Sequence, residues 1–278
     1  HVTHDAAITA MLECKSALEA ARQLLSENET IARALRWVDA RLADLWNLRG
    51  PYPGLGPALS AFGVEHGNFL AFHLAEQLEE NADPWPLVDK VLRDPTSLPP
   101  ELKRLVSREL SNLWVKMPNE RRSLLKLLAR FALTNQQATR YFVPEVRARS
   151  GVYYTDVQIL ENPYVIYEAD RFAISGNDDE RVEQVSLMTI DRGAFPSEIV
   201  AAKHPLPEPS ALSGPIDSRR IRALTVEQLE VGAALGHTLL PRDSIVTSIR
   251  DAKLEPPCPV YGDVFDAMNG EMSPVMMA

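Results

Sequence analysis

Apolar side chains recur at steps of three and four residues along most of the chain, which is the period of a helix that buries one face. The clearest stretch covers residues 31–48, where charged residues such as Arg33 and Asp39 occupy many of the positions between the apolar ones. Its apolar positions are Ile31, Leu35, Val38, Leu42 and Leu45. The same pattern predicts helices at residues 5–26, 57–62, 69–80, 83–94, 101–114, 120–131, 135–147, 218–235 and 243–253. The chain is therefore predicted to be mainly α.

Two short stretches have a different pattern and predict a minor β content. Residues 182–190 and residues 237–240 are each predicted as a short strand. Between them, four prolines predict a stiff, extended connection: Pro205, Pro207, Pro209 and Pro215. Gly236 follows the helix predicted at 218–235 and stands where a left-handed residue commonly ends a helix.

The composition excludes several classes of protein. With 278 residues, of which 45% are hydrophobic, the chain is long enough to bury a sizeable core. It has no run of about 18 apolar residues, so neither a membrane span nor a membrane partner is expected. Cys14 and Cys258 form no CxxC pair, and the N-terminus shows no secretory signal, so a reducing, cytoplasmic location is expected.

Positive charge is concentrated in one part of an acidic chain. The formal net charge is −9, yet residues 101–150, the basic window, contain eleven Lys or Arg and only four Asp or Glu. A domain-sized basic segment is typical of a surface that contacts nucleic-acid phosphates.

The helix predicted at 120–131, inside the basic window, has two opposite faces. Its apolar face is Leu124, Leu127, Leu128 and Phe131, and its basic stripe is Arg122, Lys126 and Arg130. The stripe has four-residue steps and no acid to form helical ion pairs. Two interpretations remain open: a row of phosphate contacts together with Arg121, or an ordinary solvated face.

A second candidate site is the turn Pro53-Gly54-Leu55-Gly56-Pro57. Two glycines allow a tight turn between helices, and the N–H groups at the start of the next helix can hold a phosphate. The apolar residue between the glycines is expected to anchor the turn in the core. The alternative interpretation is a plain turn between two helices.

No catalytic constellation is present in the sequence. It lacks the phosphate loop GxxxxGK followed by Ser or Thr, and it lacks the patterns GxGxxG, HExxH and GxSxG. No catalytic residue, metal ligand or cofactor is therefore predicted for this chain.

Three ordered segments resemble the region that precedes the motor of RecD-like superfamily 1 DNA helicases. In the first, residues 53–63, a GxG hairpin is followed by a helix ending in Phe-Gly, as in that family's first helix-hairpin-helix. The second spans residues 121–167 and includes Leu133-Thr134-Asn135-Gln136-Gln137-Ala138 and Glu161-Asn162-Pro163-Tyr164. The third comprises Arg219-Arg220-Ile221-Arg222-Ala223-Leu224, Gly236-His237-Thr238 and Leu240-Pro241-Arg242. The chain departs from the family at two places. Glycines are typical of the family's second hairpin, where this chain has Ala132-Leu133-Thr134. A further glycine hairpin is expected after Tyr164, and in this chain it is degenerate or replaced.

The residue pattern and the resemblance together predict a four-part organisation. An N-terminal helical region covers 1–49, and a helix-hairpin-helix-like, DNA-engaging region covers 50–172. An irregular, Pro-rich linker at 173–216 leads to a small helical or winged-helix-like module at 217–278.

The resemblance also implies a function, that of a non-catalytic accessory segment of an ATP-dependent DNA helicase. Its partners would be single-stranded or forked DNA, in repair or defence, and the motor domain of the same polypeptide, where ATP and Mg would bind. The expected DNA contacts are Gly54, Leu55, Gly56, Arg121, Arg122, Lys126 and Arg130. Two alternatives remain open: a helical protein-interaction scaffold that does not bind nucleic acid, and a metal-dependent nuclease without a recognisable motif.

Overall fold

The structure is a computed structural model that describes residues 3–25, 28–174, 182–268, 270 and 272. Its regular elements within these residues are all helices, so the prediction of a mainly α fold is confirmed. In chain order they are α1 (His4–Leu24), α2 (Glu29–Arg49), α3 (Leu55–Phe62), α4 (Gly67–Ala75), α5 (Trp85–Arg93), α6 (Pro100–Lys103), α7 (Arg108–Lys116), α8 (Asn119–Leu128), α9 (Asn135–Phe142), α10 (Pro144–Arg149), α11 (Asp156–Glu161), α12 (Val165–Asp170), α13 (Leu187–Ala194), α14 (Glu198–Lys203), α15 (Ser218–Ala234), α16 (Arg242–Asp251) and α17 (Val264–Ala267). A 3-10 turn, Pro95–Ser97, separates α5 from α6.

The chain divides into two compact units, each of which is discontinuous in sequence. The terminal unit consists of His1–Gly50, Phe195–Ala202 and Leu212–Ala278. The central unit consists of Pro51–Ala194 and Lys203–Ala211. The N-terminal helices thus belong to the same unit as the C-terminal helical module.

Helices α1 and α2 pack against each other in the terminal unit. Their shared core contains Ile8, Val38, Leu42 and Trp46, with Met11, Leu12, Leu18 and Leu45 packed around it. At its edge the buried Arg49 guanidinium lies 2.6 Å from the Asp5 carboxylate. Trp46 also donates from Nε1 to Glu255, over 3.2 Å, which fixes a C-terminal segment of this unit to α2.

Arg220 organises the rest of the terminal unit. Its side chain is completely buried, and its two terminal nitrogens donate to the carbonyl oxygens of Pro215, at 3.0 Å, and Pro256, at 2.8 Å. Its guanidinium also lies 4.4 Å from the centre of the Phe195 ring. One arginine therefore joins three segments that are distant in sequence, because its planar fork offers several donors in fixed directions.

Asp217 caps the start of α15. Burial raises the pKa of its carboxyl group, but hydrogen bonds from the Arg219 side chain and from the backbone N–H groups of Ser213 and Arg219 outweigh burial and lower the pKa to about 2. These donors lie 2.8 to 3.0 Å from the two carboxylate oxygens. The ionised carboxylate is thus favoured by the folded state.

We predict that this cap makes the terminal unit sensitive to acid. A carboxyl group with a lowered folded-state pKa stabilises the fold above its ordinary pKa, near 4, and that stabilisation is lost as the pH falls toward about 2. Asp217→Asn should lower the free energy of unfolding by about 2 kcal/mol at neutral pH. Urea denaturation from neutral pH down to about pH 3 should show the two proteins converging, and a constant difference would contradict this account.

Helices α3 and α4 of the central unit approach each other closely through two glycines. A Cβ atom added at Gly67 would lie 2.5 Å from the carbonyl oxygen of Gly56 and 2.5 Å from the backbone nitrogen of Ser60. A Cβ atom added at Gly56 would lie 2.7 Å from Cα of Asn68. Since these neighbours are backbone atoms, they cannot rotate away as a side chain can.

Gly67→Ala should therefore destabilise the chain by about 2–3 kcal/mol, because it separates two packed helices. Gly262→Ala is the matched control, since nothing lies within 4 Å of a Cβ atom at that position. Urea denaturation should show a shift below about 0.5 kcal/mol for the control. Equal shifts in the two variants would show that α3 and α4 can separate without cost.

The predicted strands are wrong, and several helix boundaries differ. Residues 187–194 form α13, in which Leu187, Ile190 and Ala194 are buried at helical spacing. Residues 237–240 leave the helix in a turn, where the His237 N–H donates to the carbonyl oxygen of Gly232. With no strand in the described part of the C-terminal module, the winged-helix expectation is not met there. Gly236 is left-handed, with φ of 87°, as predicted.

The helices predicted at 101–114 and 135–147 are each two helices. The first is divided between α6 and α7, because the Ser107 hydroxyl accepts a hydrogen bond from the Leu110 N–H and starts a new helix. The second is divided at Pro144, which begins α10. Thr134 caps α9 in a reciprocal box with Gln137.

Candidate nucleic-acid interface

The two predicted hairpins of the central unit contact each other. The Gly54 N–H donates to the carbonyl oxygen of Ala129, over 2.9 Å, just beyond the end of α8. A Cβ atom added at Gly54 would lie 2.0 Å from the carbonyl oxygen of Phe131. Gly54 is therefore required by the close approach of two backbones.

The first hairpin has few amides left to bind a phosphate. The Gly54 N–H is paired with Ala129, the Leu55 N–H donates to Tyr52, and Pro57 has no N–H. Gly56 is buried against Asn68, and Leu55 is buried as an anchor, as expected. Since a phosphate cradle needs several converging N–H groups, the geometry matches the alternative interpretation, a turn between helices.

The basic stripe of α8 covers aromatic rings. The Arg122 guanidinium lies 4.8 Å from the centre of the Trp114 ring and donates to the Trp114 carbonyl oxygen over 2.8 Å. Lys126, one turn further along, lies 5.5 Å from the centre of the Trp85 ring. The four-residue spacing thus positions both cations over tryptophans, one on α7 and one on α5. These two helices are also linked to each other, because Trp114 donates from Nε1 to Asp89 over 2.9 Å.

Arg130 does not lie on a solvent-facing helix surface, so the prediction of a fully exposed stripe is wrong at this residue. Helix α8 ends at Leu128, and the Arg130 side chain turns inward and is only 4% exposed. Its guanidinium lies 5.8 Å from the Tyr52 ring centre and donates to the carbonyl oxygens of His204 and Pro205. Arg130 thereby connects the end of α8 to the returning segment 203–211.

Arg121 is half-buried and paired within the central unit. It lies 3.0 Å from the Asp156 carboxylate and 4.2 Å from the Phe142 ring centre, and it donates to the Phe142 carbonyl oxygen. Arg147 approaches the same carboxylate to 2.7 Å. Arg121 is thus a connection between α8, α9 and α11.

The basic window therefore separates into two groups. Its buried and half-buried members are all arginines that donate hydrogen bonds within the chain: Arg121, Arg122, Arg130, Arg140 and Arg147. Its exposed members are Lys103, Arg104, Arg108, Lys116, Lys126 and Arg149. Counting charges along the sequence could not distinguish these groups, because the rings and carbonyl groups that pair with the arginines come from other parts of the chain.

The exposed group includes a compact cationic turn, residues 103–108, between α6 and α7. Leu105 and Val106 are buried there, which leaves Lys103, Arg104 and Arg108 on the outside. Within the described residues, none of these three cations forms a salt bridge. The cationic turn is therefore a group of accessible charges within the basic window, and its residues are not among the predicted DNA contacts.

Other kinds of site find no support in the described part of the chain. No three His, Cys, Asp or Glu side chains there are grouped as metal ligands. None of the helices described has the length and apolar character needed to cross a bilayer. Comparisons with protein-family models, curated proteins and solved structures found no match.

The contrast between Arg130 and Lys126 can be tested directly. Arg130→Met should lower the free energy of unfolding by about 2–3 kcal/mol, since it removes a buried side chain and its buried hydrogen bond to the carbonyl oxygen of His204. Lys126→Met, in the same basic stripe, should cost less than about 1 kcal/mol, because the ammonium group is exposed. Chemical denaturation of both variants measures this. Equal losses would mean that burial of the arginine does not determine its contribution.

Proposed function

We propose that this chain is a non-catalytic, nucleic-acid-engaging segment of an ATP-dependent DNA helicase of the RecD-like type. The observation that carries the proposal is the cationic turn, whose three cations face outward without salt-bridge partners in the described part of the chain. It replaces the first hairpin and the inward arginines as the proposed phosphate contact. The resemblance of the three ordered sequence segments supplies the helicase context.

The chemistry of the cationic turn favours contact with phosphates rather than bases. Lys103, Arg104 and Arg108 are charged donors on a short connection whose apolar residues hold it against the unit. Such contacts neutralise the backbone of any sequence and release bound counterions. They suit a segment that grips a single strand or a fork without selecting its sequence.

In this proposal the motor of the parent polypeptide hydrolyses ATP with Mg, and this chain holds or separates the strands beside it. The chain's own sequence contains no phosphate loop, so the chemical step is assigned to the motor. Cytoplasmic DNA repair or defence is the setting that the resemblance implies.

The test removes the three cations together. Lys103→Ala, Arg104→Ala and Arg108→Ala, combined, should weaken binding to single-stranded DNA of every sequence alike. The slope of log affinity against log salt should become shallower by about 2, as expected for three lost phosphate contacts on a single strand. Fluorescence anisotropy at several salt concentrations measures both quantities.

The matched control removes the same charge elsewhere. Arg33, Arg36 and Lys253 are exposed cations of the terminal unit, and their combined replacement by Ala should leave the slope unchanged. If both triple variants lose affinity equally, net charge alone governs binding and the cationic turn is not the contact. If the wild-type chain shows no salt-dependent binding at all, the proposal fails.

A second candidate function, a helical protein-interaction scaffold, is favoured by the end of α15. Four large apolar side chains are exposed there and in the following turn: Leu229, Val231, Leu235 and Leu239. Val231 and Leu235 are four residues apart and share one face of the helix, and adjacent exposed apolar side chains are typical of interaction surfaces. A chain that binds protein but shows no salt-dependent DNA binding would support this candidate.

A further inference from the structure

Two exposed phenylalanines lie side by side on the outer surface of α4. Phe69 is 55% exposed and Phe72 is 63% exposed. They are three residues apart on one helix, so their side chains are neighbours on the same face. Large aromatic rings in this position lose hydration on contact with a partner and are typical anchors of interfaces.

The other phenylalanines of the chain are covered. Four have an arginine guanidinium over the ring: Phe142 with Arg121, Phe172 with Arg171, Phe195 with Arg220 and Phe265 with Arg242, at 4.2, 4.9, 4.4 and 5.6 Å from the ring centres. Phe62 and Phe131 are buried in the core. Among the described residues, Phe69 and Phe72 are thus the two phenylalanines with neither burial nor a covering cation.

The sequence around α4 contains no cation that could cover these rings. Residues 51–89 include no Lys or Arg but six Asp or Glu. Four exposed glutamates lie within about five residues of the ends of α4 in sequence: Glu65, Glu76, Glu79 and Glu80. The nearby histidines have partners within this segment, since His66 lies 3.8 Å from Glu65 and His73 hydrogen-bonds Gln77 over 2.8 Å.

We propose that the outer face of α4 binds a protein segment that presents arginines beside apolar side chains. Guanidinium groups over Phe69 and Phe72 would give these rings the arrangement that Phe142, Phe172, Phe195 and Phe265 already have within the chain. The surrounding glutamates would attract the same cations and orient them. Apolar side chains between the arginines would cover the remaining ring surface.

The charge of this face selects the class of partner. Nucleic acid is disfavoured because its phosphates would approach exposed glutamates without an intervening Lys or Arg from residues 51–89. The inference is independent of the cationic turn, which lies on a different connection of the central unit. Two rings and a few carboxylates form a small contact, which is typical of a transient association.

The probe is a synthetic helical peptide of about 18 residues with Arg and Leu at alternating three- and four-residue steps. The whole chain should bind this peptide, and binding should weaken with added salt. Phe69→Ala combined with Phe72→Ala should reduce the affinity about tenfold or more. A peptide with Lys in place of Arg should bind more weakly, since a guanidinium stacks on a ring better than an ammonium group does.

Three controls distinguish this binding from nonspecific hydrophobic association. Leu113→Ala combined with Val115→Ala removes similarly exposed apolar groups from α7 and should leave the affinity unchanged. Circular dichroism and thermal unfolding of the Phe69 and Phe72 variant should match the wild type, because both rings are exposed. A peptide with Glu in place of Arg should not bind.

Three results would overturn the proposal. They are equal binding of the Arg and Glu peptides, an unchanged affinity in the Phe69 and Phe72 variant, and equal losses in that variant and the α7 control. Sedimentation of the chain alone tests in addition whether this face binds a second copy of the chain. Self-association that disappears with Phe69 and Phe72 would assign the face to a second copy and overturn a separate arginine-bearing partner.

Discussion

The fold depends on hydrogen bonds to the carbonyl oxygens at the ends of its short helices. Each helix leaves its last carbonyl groups without an intrahelical donor, and a fold built from many short helices has many such ends. Arginine side chains supply the missing donors. Arg122 donates to Trp114 near the end of α7, and Arg121 and Arg147 donate to carbonyl oxygens in the last turn of α9.

The same device joins segments that are distant in sequence. Arg130 connects the end of α8 to residues 204 and 205, and Arg220 connects Pro215 to Pro256. A guanidinium group suits this task because it carries five N–H donors in one plane and stays charged at any relevant pH. In each unit, therefore, a buried arginine holds parts of the fold together and is not available to bind a ligand.

This constraint explains what the sequence could predict. Helical periodicity predicted most of α2, residues 31–48 of Glu29–Arg49, because Ile31, Val38 and Leu42 bury one continuous face. Helical periodicity failed to predict the break at Ser107, because the hydroxyl of this residue caps a new helix in the middle of an apolar pattern. It also failed at residues 187–190, where a few apolar residues fit a strand as well as one turn of a helix.

The candidate site was harder to predict than the fold, for a physical reason. A row of Arg122, Lys126 and Arg130 at four-residue steps fixes which helix face they share, but not what lies opposite that face. Trp114, Trp85 and Tyr52 come from separate parts of the chain, and only the folded arrangement brings them to the stripe. Likewise, no property of Gly54 in sequence distinguishes a glycine that admits a phosphate from one that admits a neighbouring backbone.

The lack of cations around α3 and α4 has a practical consequence for anyone mapping this protein by chemistry and mass spectrometry. Trypsin cleaves after Lys and Arg, so residues 50–90 leave a complete digest as one long peptide that contains both helices. Amine-reactive cross-linkers have no lysine to modify between Pro51 and Asp89. A contact made by this surface would have no lysine of the segment itself to report it in lysine-based cross-linking, whereas reagents that couple to carboxyl groups would find Glu65, Glu76 and their neighbours accessible.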